Sequence, residues 1–354
     1  MFDTITEPST GESKDETSKI LSNPDQLVQR FLLQTEPVFA RLTGLREKGW
    51  ANPAGDAYFQ KQRSRADTAD RNGASRFYTM MQQIGDELQR STGALRQTPE
   101  EGVKILDLCM APRGYTASAL KYNPGATAFG ITLPPAQGGH EILFESSQSS
   151  VILLDVTMLV KEFGTENPPR THPEYASFIH ERPYIRPTFD LVFCDGRVLR
   201  QHQRLGYREN KEPLRLTVSH LILALQRIRR GGTLIMLLHK IEAWHTLELL
   251  YNFSRFSSIQ AFKPKKKHAI RSSSYLIAKN VQPDSDVARV SVEKWKIAWQ
   301  RATFGANCEA DEGVVAGSGH VKSVLDQFGN EYVKLGRPIW EIQAEALSKM
   351  DFTK

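Results

Sequence analysis

The chain has little cysteine. Only three cysteines occur in 354 residues, and they are odd in number and widely spaced: Cys109, Cys194 and Cys308. This pattern argues against a disulfide framework and against a zinc site. Metal-ligand spacing is also missing from the histidines in the middle of the chain, His172, His180, His202 and His220. We therefore expect a protein of a reducing compartment that binds no metal.

Long apolar runs are missing as well. No stretch approaches the ~20 residues that a membrane span needs. The beginning of the chain is acidic from Asp3 onward, unlike a signal or transit peptide. We expect no membrane partner and an intracellular protein, cytoplasmic or nuclear. Residues 1–23 are rich in Ser, Thr, Glu and Asp and poor in apolar residues, which predicts disorder.

Charge is only mildly unbalanced, with 46 Lys and Arg against 40 Asp and Glu. A net charge of +6 permits an anionic partner without requiring one. The densest basic segment is 262–271, whose cations suit a phosphate backbone: Lys263, Lys265, Lys266, Lys267 and Arg271. A solvated loop is the alternative interpretation. The stretch 58–95 leaves a similar choice between a basic helix with one apolar face and a surface for nucleic acid.

Short apolar runs alternate with helical patterns through the middle of the chain. They predict strands at 103–108, 126–133, 151–154, 189–195 and 233–238, followed by an antiparallel pair at 258–262 and 274–278. Amphipathic helices are predicted at 214–229, capped by Gly231 and Gly232, and at 243–256. This order is typical of an α/β fold with a mostly parallel sheet.

Helical segments flank this α/β region on both sides. Residues 24–98 form a helical N-terminal region, which begins with two short helices in 26–48 that are broken near Pro37. The α/β domain itself is expected over 99–282. Residues 283–354 are predicted to be a helical extension, with helices at 292–304 and 339–350 joined by the Gly-rich stretch 313–319. The pattern leaves open whether this extension packs on the domain.

The segment 103–119 predicts a ligand site. An apolar strand ends at Leu108, a turn of mainly small residues follows from Cys109 to Gly114, and a helix begins at Tyr115. In open α/β sheets a ligand settles at such a strand end, next to the positive end of the following helix. A plain turn without a ligand is the alternative.

Residues 107–115, Asp-Leu-Cys-Met-Ala-Pro-Arg-Gly-Tyr, resemble the adenosylmethionine motif of the FtsJ-like ribose 2′-O-methyltransferases of RNA. That motif has an acid, a turn with Pro-Gly-Gly and an aromatic residue; Arg113 replaces its first glycine. The resemblance implies a Rossmann-like fold, a mostly parallel seven-stranded sheet with helices on both faces, and S-adenosyl-L-methionine as cofactor. It assigns the cofactor to Asp107, Cys109, Ala111, Pro112, Arg113, Gly114, Tyr115, Asp155 and Asp195. Within this set, Arg113 is expected to pair with the methionine carboxylate and Asp155 to meet the adenine amino group.

Catalysis in the family depends on a Lys-Asp-Lys-Glu tetrad, and this chain matches one position of four. Asp195 corresponds to the aspartate, whereas Met80, Leu237 and Ser273 stand at the other three positions. Strand alternation puts His239 on the face of Leu237 and Lys240 on the opposite face. The catalytic candidates are therefore Asp195 with His239 as base, and Lys240 if the strand ends early.

Three hypotheses remain open at this level. The first is an S-adenosylmethionine-dependent methyltransferase of RNA ribose or of another acceptor. The second is a non-catalytic member of the fold that binds RNA, the cofactor or a protein partner. The third, less supported, is a small-molecule methyltransferase with a closed apolar pocket in place of a basic groove.

Overall fold

A computed structural model describes residues 23–67, 71–99, 102–143, 146–305 and 317–354. The predicted disorder of 1–23 falls outside these residues except for Asn23, which caps the first helix with its side chain. Most of the Gly-rich stretch 313–319 also lies outside them.

Seven strands form one sheet in the order β3-β2-β1-β4-β5-β7-β6. Only β7 runs antiparallel to its neighbours. The strands span β1 Lys104–Leu108, β2 Thr127–Thr132, β3 Ser149–Leu153, β4 Phe189–Cys194, β5 Ile228–His239, β6 Ser258–Phe262 and β7 Ser273–Lys279. The predicted fold class, with its mostly parallel seven-stranded sheet and closing antiparallel pair, is confirmed.

Both faces of the sheet are buried, because successive strand residues alternate between two apolar cores. One face carries Ile105, Leu191, Phe193, Ile235 and Ile277. The opposite face carries their neighbours Leu106, Val192, Leu234 and Leu276. The first core is covered by helices α4 (Arg71–Thr92) and α5 (Gly114–Tyr122), and the second by helices that include α6 (Glu212–Arg227) and α7 (Trp244–Ser254).

The prediction that Gly231 and Gly232 cap α6 is wrong. The helix ends at Arg227, because Ile228 is already extended and begins β5. Gly231 instead lies within β5 with φ +81°, where the pairing with β4 shifts register between Phe189 and Leu191. A left-handed residue in such a bulge favours glycine.

Three helices precede α4: α1 (Pro24–Thr35), α2 (Pro37–Ala51) and α3 (Pro53–Asp67). Each begins with a proline, which suits the first helical position because its missing N–H has no intrahelical partner there. The predicted pair of helices broken near Pro37 is confirmed. In the stretch 58–95, α4 presents its apolar residues Met81, Ile84 and Leu88 to the sheet, as the amphipathic alternative requires.

The C-terminal extension consists of α8 (Asp286–Phe304) and α9 (Ser318–Ser348). The predicted helix at 339–350 is therefore too short, since α9 continues through Pro338. The extension packs on the rest of the chain: Phe39 of α2 lies 5.3 Å from Trp340 of α9, and Arg337 donates to Glu36 at 2.8 Å. Within the described residues, no helix is long and apolar enough to cross a membrane.

Candidate active site

A cavity of about 650 Å³, here called the inner cavity, opens at the carboxyl ends of the central strands. Cys109, Thr132, Leu154 and Asp195, at or just after the ends of β1, β2, β3 and β4, all line it. Parallel strands bring their carboxyl ends to one edge of the sheet, which is where ligands bind in this class of fold. Of Asp107, Gly114, Asp155 and Asp195, all assigned to the cofactor from the sequence, only Asp155 and Asp195 line this cavity.

The turn after β1 holds the cavity wall next to α4. Arg113 has φ +81° and ψ 17°, the left-handed conformation that glycine adopts without strain. Gly114 follows in close contact, because a Cβ there would lie 2.3 Å from Cβ of Met81. Arg113, at the position of the motif's first glycine, therefore adopts a backbone conformation that favours glycine. Gly114, at the position of the second glycine, has no side chain and so allows α4 to approach.

The structure divides the predicted cofactor residues of this turn into two groups. Cys109, Ala111 and Tyr115 line the inner cavity, whereas Asp107, Pro112, Arg113 and Gly114 do not. The buried Arg113 directs Nε to Sδ of Met110 at 3.1 Å. This placement does not support its expected pairing with the methionine carboxylate.

Asp107 lies behind the cavity wall. It is 2% exposed and accepts a hydrogen bond from Oγ1 of Thr116 at 2.5 Å. Burial raises its pKa to about 7, although the Thr116 hydrogen bond and the charge of Arg113 lower it. Asp107 therefore acts on the site through its charge and holds the start of α5.

Asp195, just after the end of β4, lines the inner cavity. Burial, and then the negative charge of Asp107, raise its pKa to about 8, while Arg197 and a hydrogen bond from Tyr275 lower it. Its Oδ1 has no partner among the described residues. A buried carboxylate oxygen without a donor marks a position where a ligand can bind.

Tyr275 is a site residue to which the sequence assigned no role. Its hydroxyl lies 2.5 Å from that of Tyr115, and it also makes a hydrogen bond to Asp195. Tyr275 stands two residues after Ser273 on β7, so both side chains lie on one face of the strand. The sequence spacing could therefore have identified Tyr275, because it places this hydroxyl side chain on the same strand face as Ser273, the position aligned with the family's glutamate.

All four positions that correspond to the family tetrad line the inner cavity: Met80, Asp195, Leu237 and Ser273. They come from α4 and from the ends of β4, β5 and β7, so their convergence depends on the whole fold. The chain therefore brings the four tetrad positions to one cavity but carries only one of the tetrad's charged side chains there.

The other two catalytic candidates lie elsewhere. His239 lines a smaller neighbouring pocket, and Lys240 lines neither. Both residues are exposed, because β5 ends at His239 and the backbone turns with φ +51° at Lys240. Partial desolvation of its ring, and then the positive charges of Arg197 and Lys240, lower the pKa of His239. His239 lies on the same face of β5 as Leu237, as strand alternation predicts. It lies two residues further along the strand, however, and therefore lines the neighbouring pocket and not the inner cavity.

Asp155 also lines the inner cavity. Its carboxylate accepts hydrogen bonds from Thr157 at 2.9 and 2.8 Å and from Arg208 at 2.7 Å. Burial raises its pKa, but Arg208 and Thr157 outweigh this and leave it lowered. With His202 and Glu212 it brings three metal-ligating atoms within 4.8 Å. Arg208 Nη2 contacts both carboxylates, at 2.7 and 2.6 Å, so a guanidinium already supplies the positive charge there.

The predicted RNA-binding segment separates into exposed and buried cations. Lys267 and Arg271 line the inner cavity, together with Arg76, Arg197 and Arg200; Lys265 and Lys266 are exposed beside it. The assignment of Lys263 to RNA is wrong. It is 2% exposed, and its Nζ donates to the carbonyls of Arg271 at 2.6 Å and Ser273 at 2.9 Å. Burial lowers its pKa to about 7, and its role is to hold the loop closed.

A comparison with protein families decides what this site belongs to. The model of the family described as FtsJ-like methyltransferase matches residues 86–281, more than half of the chain. The chain belongs to this family. The match covers the cofactor turn, Asp195 and the basic segment, and it excludes α1 to α3, α8 and α9. FtsJ-like methyltransferases take their methyl group from S-adenosylmethionine, which is the cofactor of this chain.

Several solved structures are similar to this chain at low sequence identity. A ribosomal RNA methyltransferase described as putative, from Plasmodium falciparum, is 18% identical with a TM-score of 0.37, covering 56% of this chain and 96% of that chain. An rRNA methylase from Streptococcus thermophilus is 14% identical with a TM-score of 0.33, covering 55% and 96%. Human methyltransferase-like protein 13, in complex with SAH, is 13% identical with a TM-score of 0.34, covering 65% and 96%. No curated protein matches the sequence significantly.

The residues present fit the cofactor. A cavity of about 650 Å³ lies within the range of ~300–1,000 Å³ that small-molecule sites occupy. Leu133, Leu154 and Val156 give it an apolar side, next to the carboxylate of Asp155. The partnerless Oδ1 of Asp195 supplies a further buried acceptor. Such a lining suits a ligand with an aromatic base and a cationic, amino-acid-like end.

Proposed function

We propose that this FtsJ-like methyltransferase methylates a ribose 2′-hydroxyl of RNA, and that Asp195 accepts the proton of that hydroxyl. The observation that carries the proposal is the meeting of the four tetrad positions in one cavity whose rim is basic. Asp195 is the ionisable group among the four.

A hydroxyl is a weak nucleophile, so its proton must be accepted as its oxygen attacks. S-adenosylmethionine supplies the methyl group on a positively charged sulfur. In the proposed reaction the ribose oxygen bonds to the methyl carbon, the carbon–sulfur bond breaks, and the hydroxyl proton passes to Asp195. A general base works best when its pKa lies near the operating pH. Burial places the pKa of Asp195 at about 8, within that range.

The replaced positions explain why Asp195 is the proposed base. A lysine at position 80 or 237 would stabilise the ionised carboxylate and lower its pKa. Met80 and Leu237 remove these charges and leave burial as the dominant influence. Tyr275, which bonds to Asp195, and Tyr115, which bonds to Tyr275, then hold the carboxylate in place.

The basic rim supports RNA as the acceptor. Arg76, Arg197, Lys267 and Arg271 line the inner cavity, and Lys265 and Lys266 extend the positive surface. Each phosphate contact on a single strand contributes about 0.7 to the slope of log affinity against log salt. A small-molecule methyltransferase has no need of such a rim, which disfavours that hypothesis.

A second candidate is a non-catalytic protein that binds RNA and the cofactor, or a protein partner. The observation in its favour is the loss of the two lysines and the glutamate at Met80, Leu237 and Ser273. A misplaced or missing general base typically costs ~10² to 10⁴ in rate. This candidate predicts cofactor binding without methyl transfer.

The test combines binding and transfer. Calorimetry with S-adenosylmethionine measures cofactor binding, and a tritiated methyl donor with total RNA measures transfer. Alkaline hydrolysis then locates the label, since a methylated 2′-oxygen protects the adjacent phosphodiester bond. Label in alkali-resistant dinucleotides supports the proposal. Binding without label selects the second candidate, and label in mononucleotides contradicts the ribose assignment.

A further inference from the structure

A second pocket, here called the outer pocket, adjoins the inner cavity and has a volume of about 330 Å³. The two share Gln62, Arg197, Arg200, Arg271 and Ser273. The remaining wall of the outer pocket comes largely from α2, α3 and α9, which lie outside the segment matched by the family. The terminal helices therefore build a space that is continuous with the site of methyl transfer.

The wall of the outer pocket is firmly built. Arg46 of α2 donates to Glu242 at 2.6 Å and to Gln343 of α9 at 2.9 Å. The same guanidinium reaches Oγ of Ser272 at 3.3 Å, next to the wall shared with the inner cavity. These bonds connect both ends of the chain to the basic segment, so the pocket is preorganised.

The charge of the outer pocket is positive. It is lined by Arg197, Arg200 and Arg271, besides Arg46, which is paired with Glu242, and no carboxylate is among its described lining residues. Two influences lower the pKa of His239 and of Arg271: desolvation is the larger, and the positive charge of Arg197 is the next. Among the described residues no carboxylate lies within ion-pair distance of Arg197 or Arg271. This surface therefore favours an anion.

An aromatic side chain stands at the same pocket. Trp50, at the end of α2, is 67% exposed although it lines the pocket beside Phe59. A large exposed indole next to arginines is the arrangement with which proteins bind single-stranded nucleic acid, because bases stack on aromatic rings while cations contact the phosphates. A duplex would not present an unstacked base to this ring.

We propose that the outer pocket binds the nucleotide next to the acceptor nucleotide in single-stranded RNA. Its base stacks on Trp50, and the phosphodiester that joins it to the acceptor contacts Arg197 and Arg271 at the shared wall. This inference rests on the proposed function, since it extends the RNA acceptor from the inner cavity by one residue. It makes the terminal helices part of substrate recognition.

The experiment measures binding of a fluorescein-labelled single-stranded pentaribonucleotide by anisotropy. We expect Trp50→Ala to weaken binding roughly 5- to 150-fold, the ratio for a base stack worth ~1–3 kcal/mol. Trp50→Phe, which keeps a ring, should retain most of the affinity. Val290→Ala, an exposed apolar residue of α8 that lines neither pocket, serves as matched control and should bind like the wild type. Cofactor affinity, measured by calorimetry, should stay within twofold in all variants.

The outcomes separate this inference from the proposed function. Equal affinity of wild type and Trp50→Ala overturns the inference and leaves the proposed function intact. An equal loss for a duplex overturns the stacking assignment. Binding of a polyglutamate peptide that depends on Trp50, with RNA binding unchanged, would assign the pocket to an acidic protein partner instead. A wild type that binds the cofactor but no RNA contradicts both proposals.

Discussion

Replacing Asp195 by Asn should stabilise the protein at alkaline pH while abolishing methyl transfer. The carboxyl has an ordinary pKa of 3.8 and a pKa of about 8 in the folded chain. Between these values the folded protein binds a proton that the unfolded chain has lost, so the stability of the wild type falls as pH rises from about 4 to about 8. The full difference corresponds to roughly 6 kcal/mol, an upper limit because Asp107 titrates nearby.

The assay compares urea unfolding of wild type and Asp195→Asn at pH 5 and pH 9, without cofactor. Asn keeps the shape of the side chain and still accepts the hydrogen bond from Tyr275. The variant should be more stable by several kcal/mol at pH 9 and by much less at pH 5. Asp326→Asn, a change at an exposed residue of α9, is the control and should have no such effect. Equal stability of Asp195→Asn and wild type at both pH values would refute the reasoning about burial.

Three further predictions follow from the site. Tyr275→Phe removes a hydrogen bond that lowers the pKa of Asp195, so the rise of the transfer rate with pH should move to higher pH. Tyr115→Phe, which removes only the partner of Tyr275, should leave this rise in place. An unmoved profile in Tyr275→Phe would argue against the influence of this hydrogen bond on Asp195. Replacing Lys265, Lys266 and Lys267 by Ala should reduce the salt slope of RNA binding by up to ~2 at unchanged melting temperature. Lys263→Met should instead lower the melting temperature. A reduced salt slope at unchanged melting temperature would show that Lys263 contacts RNA. Arg113→Gly relieves the ~1 kcal/mol strain of the left-handed backbone at this position. It should unfold at a higher urea concentration than Arg113→Ala, which keeps the strain.

The sequence predicted the sheet and the cofactor turn well, for a physical reason. Strands that are buried on both faces are largely apolar, so β1, β4 and the second half of β5 stand out as nearly continuous apolar runs, with Asp107 and Asp190 as the exceptions in β1 and β4. The turn after β1 must provide a left-handed residue and a close approach, which only a few sequences satisfy. Arg113 shows that even the departure from the motif kept the backbone conformation.

Other features depend on tertiary contacts that local patterns do not contain. Four lysines of one segment look alike in sequence, yet Lys263 turns inward because three carbonyls of the closed loop surround its ammonium group. His239 lies beyond the cavity because β5 ends there. Trp50 belongs to α2, which is held at the site by packing with α9 and by the hydrogen bonds of Arg46 to Glu242 and Ser272. The pairing of Tyr115 with Tyr275 likewise joins residues 160 positions apart.

The most direct test of the account is the rate of methyl transfer to RNA at saturating S-adenosylmethionine, measured for wild type and Asp195→Asn from pH 6 to pH 9. We predict that the wild-type rate rises with pH toward a plateau above about 8, where Asp195 is ionised. Asp195→Asn should be inactive across this range while its cofactor affinity stays within a few fold of the wild type. Transfer that persists in Asp195→Asn, with the pH dependence of the wild type, would contradict the assignment of Asp195 as the base.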